Sequence, residues 1–267
     1  MRSIGYYGTA RAVPASGTVT WSGDDIPSAG GLAALVFSAS AAGGGLAAAN
    51  VNLIRVKADG ELVCDLAWDE LIAFHEAWGP HGTNLGAVPQ RYYLPFHLPD
   101  APTDEAADVC GFPFGAKCTV ELFTGASGAG NIKLGWLKAS RRPQVQPRLL
   151  GSAANIGASQ TSRQYALPVS RGDTLRALAI NNTGLTRMQM FLRGQMVVNV
   201  TGAGDSEGAL LTAAGLWDGA ITNVNPVWTR LPINVPASSD DAYLQVDTGA
   251  TWAGTANRIS IYAVRPQ

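Results

Sequence analysis

The sequence predicts an all-β chain built as a tandem of two eight-stranded jelly-roll β-sandwiches, with one short helix in each. Three observations carry this expectation. Four landmarks recur in the same order in the two halves. The apolar stretches are short and alternate with polar residues, as expected of strands with one face turned inward. Turn residues are dense, with 31 Gly and 15 Pro, while charged residues make up only 15% of the chain, well below the usual quarter.

The repeat decides the architecture and comes first. Leu94-Pro95-Phe96-His97-Leu98-Pro99 lines up with Leu231-Pro232-Ile233-Asn234-Val235-Pro236, each reading Leu-Pro-apolar-polar-apolar-Pro. Upstream, Asn52–Leu66 resembles Thr186–Val200. Each is an alternating strand, a two-residue turn ending in Gly60 or Gly194, and a second strand, the pattern of a β-hairpin. Next come Trp68–Gly79 and Asp205–Gly215, each a short helix closed by its glycine, with Leu71, Ile72 and Ala73 opposite Leu210, Leu211 and Thr212. Downstream, Thr119–Pro143 matches Ala242–Pro266, both with Thr-Gly at the turn and Arg-Pro at the end. One duplication explains all four pairs.

The join falls between Pro143 and Gly151, where prolines, glycines and small polar residues interrupt any periodicity. The domains are therefore residues 1–146 and 147–267. The copies differ chiefly at Asp100–Lys117, rich in Pro, Asp and Gly, where the second copy has only Ala237–Ala242. Such an insertion is expected to be a surface loop. Seven or eight short apolar stretches per copy with one helix suit a sandwich, and the helix interrupting the strands at the same point in both copies favours a jelly roll over an up-and-down barrel.

Composition bounds the functional classes. A net charge of -1, with no basic run beyond Arg141-Arg142, offers no field for nucleic acid or acidic lipid. Low charge with 46% hydrophobic residues points to surface covered by neighbouring subunits. Cys64, Cys110 and Cys118 are odd in number and lack CxxC spacing, against both a disulfide framework and a structural zinc site, so folding in a reducing compartment is expected. The first residues lack the unbroken apolar stretch of a secretory signal. Gly30–Asn52 carries no charge and is long enough to cross a bilayer. Its apolar cluster, Leu32–Phe37, is only strand-length, and Gly43–Gly45 would weaken a helix, so a buried strand and turn are expected.

On this architecture the sequence resembles the double jelly-roll major capsid proteins of membrane-containing icosahedral bacteriophages, the corticovirus type being nearest in size. The local resemblance rests on Met1-Arg2-Ser3, on Arg55-Val56 leading to Asp59-Gly60 with Leu62 beyond, and on Asp69-Glu70-Leu71-Ile72. The second copy departs from it at Arg193, where the first has Asp59. The resemblance implies a homotrimer whose six jelly rolls form a pseudo-hexagonal tile of an icosahedral shell. It also implies contacts with neighbouring capsomers, other virion proteins and an internal membrane, but none with nucleic acid. Location in the virion capsid after synthesis in the host cytoplasm follows. A virion spike or receptor-binding β protein, and a carbohydrate-binding tandem sandwich, are the alternatives.

No catalytic constellation is present, and no enzyme is expected. His75 and His81 are six apart with Gly79-Pro80 between them, so they cannot share a helix face as zinc ligands, and His97 pairs in the repeat with Asn234, which could not serve as a base. GxSxG is absent, and Gly125–Gly130 lacks the Lys-Ser/Thr of a P-loop. The acidic pairs Asp24-Asp25, Asp104-Glu105 and Asp240-Asp241 read as solvated turns without EF-hand spacing; Asp24, Asp25, Asp240 and Asp241 are the weak candidates for structural calcium, and no other cofactor is expected. Trp21, Trp136, Trp228 and Trp252 lie in or beside strands, where they read as core or interface anchors, with sugar stacking the other reading.

Overall fold

The computed structural model describes residues 4–6, 10–22, 26, 31–39, 50–68, 70–71, 90–98, 103–126, 130–181, 185–201, 220–221, 228–237, 241–249 and 258–267. It divides into two compact units, Met1–Arg148 with Pro266–Gln267, and Leu149–Arg265.

In the first unit, one sheet runs β1 (Ile4–Tyr6), β9 (Asn131–Lys138), β4 (Leu32–Ala39), β7 (Gln90–Pro95), with β2 (Arg11–Ala12) also on β9. The other runs β3 (Thr18–Trp21), β8 (Cys118–Thr124), β5 (Val51–Ala58), β6 (Glu61–Ala67). After β1 and β2, which share a sheet, the described strands cross from sheet to sheet, with β5 and β6 consecutive in one sheet as a hairpin. That crossing order is the jelly roll. β10 (Val145–Ala153) carries the chain past the division at Arg148.

In the second unit, β10 is followed in the same way by β11 (Arg163–Ala166), β12 (Thr174–Asn181), the hairpin β13 (Leu185–Leu192) and β14 (Gln195–Thr201), then β16 (Trp228–Pro236), β17 (Ala242–Thr248) and β18 (Arg258–Pro266). β16, β12, β18 and β10 form one sheet, extended by β15 (Ala220–Ile221), and β11, β17, β13 and β14 form the other. Eight strand positions recur with the same connectivity in both units.

The register is repeated as well. Arg55 faces Glu121 and Ala58 faces Cys118 in the first unit; Gln189 faces Gln245 and Leu192 faces Ala242 in the second. The hairpins share a shift, between Val56 and Lys57 and between Met190 and Phe191. Their turns are Asp59-Gly60, at φ 49° and 91°, and Arg193-Gly194, at 49° and 73°. Positive φ at both central residues is the two-residue turn whose twist matches the flanking strands. The Leu-Pro landmarks also coincide, with Leu94 and Pro95 opposite Leu35 and Ala34, and Leu231 and Pro232 opposite Leu178 and Ala177.

Alternation becomes burial along these strands: β8 and β17 are each buried at every second residue. Trp21, Phe37 and Tyr92 fill the first core, with Trp21 edge-on to Phe37 at 6.4 Å. Each fully buried side chain of this kind contributes about 1.5–3 kcal/mol.

Three expectations change. The insertion is not simply a surface loop: after one helical turn, Asp104–Ala107, the chain dives inward so that Asp108, Cys110 and Phe112 are buried and Phe112 packs against Phe96 at 5.8 Å. Its apolar residues outweigh its turn-forming ones. The join is not an interrupted linker, because β10 is a continuous nine-residue strand. Pro143 before it is buried, wedged between Gly31 and Gly111, where an added Cβ would sit 2.8 and 2.7 Å from the proline ring. His97 lies beyond the end of β7 and is buried, rather than mid-strand on a polar face.

Of the two expected helices, the first is helical at Trp68, Glu70 and Leu71, with the Glu70 carboxylate accepting from the Ala67 N–H at 2.6 Å. The rest of it, and the second, lie outside the described residues. Leu32–Ala39 is the buried strand expected of the uncharged segment; among the described residues, no helix is long and apolar enough to cross a membrane.

Candidate assembly surfaces

The outward faces of the hairpin-bearing sheets are where the two units diverge. On the first, Arg55 Nε meets Asp65 at 2.9 Å, Lys57 Nζ meets Glu121 at 3.1 Å, and the Arg55 guanidinium lies 5.1 Å from the Phe123 ring centre. Each group is about a quarter exposed, so each pair contributes at most about 1 kcal/mol. The face is solvated and self-neutralising.

On the second unit the same register positions carry different chemistry. Gln189 and Gln245 stand where Arg55 and Glu121 stood, and Phe191 and Tyr243 replace Lys57 and Thr119. Gln245 donates to Gln189 at 3.0 Å, and Gln189 donates to Asn199 at 3.0 Å, making a row of amides across three strands. Phe191 and Tyr243 stack face to face, 4.8 Å between ring centres and 11° between planes. Arg187 also pairs with Asp247 at 2.8 Å. Beside the stack, Met196 and Val197 on β14 are 51% and 41% exposed. A groove of about 440 Å³ opens at Val197 and is walled by Leu192, Arg193, Gln195, Val235 and Pro236.

Phe114, at the exit of the insertion, is the third exposed large apolar residue among those described, with the Arg142 guanidinium 5.1 Å from its ring centre.

The Thr-Gly pairs of the repeat anchor a second feature. The Thr124 hydroxyl accepts from the Gly17 N–H at 2.7 Å and donates to the Gly17 carbonyl at 3.0 Å, while the Ser16 N–H donates to the Gly125 carbonyl at 2.7 Å. The Thr248 hydroxyl accepts from the Gln160 N–H at 3.0 Å and donates to the Gly157 carbonyl at 2.7 Å, while the Ser159 N–H donates to the Gly249 carbonyl at 3.1 Å. Ser16 and Ser159 share a positive φ, 50° and 53°. Sequence reasoning missed this clasp. Its signal was Ala15-Ser16-Gly17-Thr18 against Ala158-Ser159-Gln160-Thr161.

The residues weighed for chemistry are dispersed. His97 Nε2 is 2.8 Å from the Tyr93 hydroxyl and its Nδ1 is 3.2 Å from the Leu98 carbonyl, the contacts of an imidazole that donates from Nδ1 and accepts at Nε2. His75, His81, Trp252, Asp24, Asp25 and Asp240 lie outside the described residues. Asp241 is exposed just before β17, its carbonyl accepting from the Arg193 N–H at 3.0 Å. Asp104 opens the helical turn and Glu105 is exposed. Among the described residues, no three of His, Cys, Asp and Glu converge as a metal site. Trp21 is only 1% exposed, which removes it as a sugar platform; Trp136 is half-buried on β9, and Trp228 starts β16. Cys64, Cys110 and Cys118 are buried and unpaired with one another. Burial pushes the Cys118 thiol up to about 12 and the Cys64 thiol higher, Asp65 adding to the latter. Neither is a nucleophile at neutral pH.

No family model and no curated protein matches the sequence. Solved structures do. The major capsid protein P2 of bacteriophage PM2 is 13% identical and superposes with a TM-score of 0.73 over 100% of this chain and 98% of its own. The chain has the double jelly-roll fold. A chain of Sulfolobus turreted icosahedral virus, 11% identical, matches with a TM-score of 0.66 over 99% of this chain and 91% of its own. The PBCV-1 virus capsid, at 12% identity, matches at 0.52 over 99% and 93%. The double jelly roll therefore extends over the whole length, as the repeated register requires.

Proposed function

We propose that this chain is a viral major capsid protein, a structural and non-enzymatic subunit that packs against copies of itself to tile an icosahedral shell. The observation that carries the reading is the match of both jelly rolls, end to end, to the PM2 major capsid protein, with almost nothing left over on either chain. The outward faces support it, because in place of charges one of them carries amides, a stacked aromatic pair and exposed Met196, the composition of subunit contacts.

In this reading the chain forms a homotrimer, and its six jelly rolls make a pseudo-hexameric capsomer. The capsomer meets neighbouring capsomers, other virion proteins and an internal membrane beneath the shell, and does not bind the genome directly. The protein is made in the host cytoplasm and resides in the virion capsid. Light scattering on the purified chain tests the trimer: a mass near three times 27.8 kDa is expected, and a monomer persisting at micromolar concentration would contradict it.

A further inference from the structure

At one end of the first unit, the insertion and the loop that follows β9 come together: Leu32 lies opposite Lys138, and its carbonyl accepts from the Phe112 N–H at 2.8 Å. Pro113-Phe114-Gly115-Ala116 is a tight turn. The Ala116 N–H donates to the Pro113 carbonyl at 3.4 Å, and Gly115 has the φ of 80° that the third residue of a type II turn requires. Phe112 and Ala116 are buried on either side, so the turn is pinned and Phe114, 47% exposed, is held at its tip. A Cβ added at Gly115 would meet nothing, so the tip is convex. The loop beside it is equally fixed. The Asp108 carboxylate, fully buried, accepts from the Ser140 N–H at 2.6 Å, and Pro143 is wedged between Gly31 and Gly111. From this held backbone Arg141 and Arg142 project, both exposed, with the Arg142 guanidinium 5.1 Å from the Phe114 ring centre. Lys138 is exposed at the end of β9. Arg55, Lys57, Arg187 and Arg265 each have a carboxylate partner, whereas none pairs with Lys138, Arg141 or Arg142 among the described residues. The net charge of -1 hides this local excess.

We propose that this end of the first unit docks on an anionic phospholipid surface, with Phe114 entering the boundary between headgroups and acyl chains and Lys138, Arg141 and Arg142 meeting the phosphates around it. The proposal rests on the capsid reading, which sets a membrane beneath the shell, and adds which residues meet it. Charge complementarity selects an anionic partner, since three unpaired cations lie within five residues. The exposed ring selects lipid among anionic partners, because an aromatic tip ringed by Lys and Arg is the chemistry of a membrane-interface anchor. A nucleic-acid strand would need a charged groove along its backbone and open ring faces for its bases. Here the surface is a convex tip, and the Arg142 guanidinium lies against the ring. The arginines suit phosphate better than lysines would, because the planar guanidinium can grip two oxygens at once. The insertion supplies both the turn and Asp108, and the second copy has only Ala237–Ala242 in its place.

The test floats the full chain with vesicles of phosphatidylglycerol and phosphatidylcholine in equal parts, and with vesicles of phosphatidylcholine alone. The wild type should bind the anionic vesicles, bind the neutral ones far less, and release as salt is raised. Each cation at an anionic surface strengthens binding about fivefold, so Arg141→Gln with Arg142→Gln should weaken it about thirtyfold. Phe114→Ser should weaken it several-fold, and both variants should keep the wild-type circular dichroism spectrum. Arg141→Lys with Arg142→Lys, which keeps the charge, should retain most of the binding, and Arg163→Gln, an exposed arginine on β11, should retain all of it. A wild type that ignores anionic vesicles overturns the proposal, as does an Arg163→Gln loss equal to that of the arginine pair. Capture of polyglutamate or single-stranded DNA through Arg141 and Arg142 without vesicle binding overturns the choice of lipid. A trimer that fails to bind vesicles leaves the capsid reading standing; a monomer that binds them through these residues supports the docking end and contradicts the capsid reading.

Discussion

Replacing Thr124 and Thr248 by valine, one at a time, removes a hydroxyl while keeping side-chain shape and strand preference. At Thr124 the change leaves the Gly17 N–H without its acceptor at 2.7 Å, while the Gly17 carbonyl keeps the Thr124 N–H at 2.9 Å. One partly buried donor is orphaned, which costs about 1–2 kcal/mol. At Thr248 two groups lose their partner, the Gln160 N–H and the Gly157 carbonyl, so the loss is about 2–4 kcal/mol. Urea unfolding followed by tryptophan fluorescence measures both, and the slope with denaturant should stay constant because the buried surface is unchanged. Thr124→Ser and Thr248→Ser, which keep the hydroxyl, should recover most of the loss. If both valine variants fall within about 0.5 kcal/mol of wild type, the scatter of neutral surface changes, the clasp holds nothing and the reasoning is refuted.

Other expectations follow from the same geometry. Gly111→Ala places a Cβ 2.7 Å from the Pro143 ring and 3.0 Å from the Leu32 carbonyl, and a fall of about 1–3 kcal/mol in unfolding free energy should be seen by calorimetry. The buried thiols should resist a thiol reagent at pH 8 in the native protein, and three should titrate after denaturation. Because burial raises Cys64 and Cys118 above the ordinary value of 9.0, their contribution is complete below pH 9. It falls by about 1.4 kcal/mol per thiol per pH unit above that, as the unfolded chain ionises first; equilibrium unfolding from pH 8 to 11 measures the slope. If Asp24, Asp25, Asp240 and Asp241 are the solvated turn residues their spacing suggests, a chelator should leave the melting temperature unchanged; a drop of several degrees, reversed by calcium, would assign them a structural ion.

The repeat was legible because its landmarks combine rigid chemistry with strict order. Leu-Pro pairs, a turn that needs Gly60 or Gly194, and Thr-Gly before the last hairpin each constrain the backbone locally, and their order fixed the topology. Regions governed by tertiary packing were less legible. Along β10 the buried residues come as adjacent pairs, Gln146-Pro147 and Leu149-Leu150, without the period of two that marks a strand, and Pro143 and Pro147 made it resemble a linker. The insertion carries turn residues that suggested solvent, yet Phe112 and Cys110 found the core. The two hairpins look alike in sequence, Leu-Val-Cys against Met-Val-Val, so nothing in composition distinguishes a covered Val63 from an open Val197. The difference between the outward faces of the two hairpin-bearing sheets therefore emerged only when equivalent positions were compared in space.

The most direct measurement is electron microscopy of negatively stained particles from the source, with gold-labelled antibody against this chain. Label distributed over the faces of icosahedral shells, on hexagonally outlined tiles, is the predicted result. Label confined to vertex spikes, or found only on material outside the particles, would contradict the assignment of this double jelly roll to the shell wall.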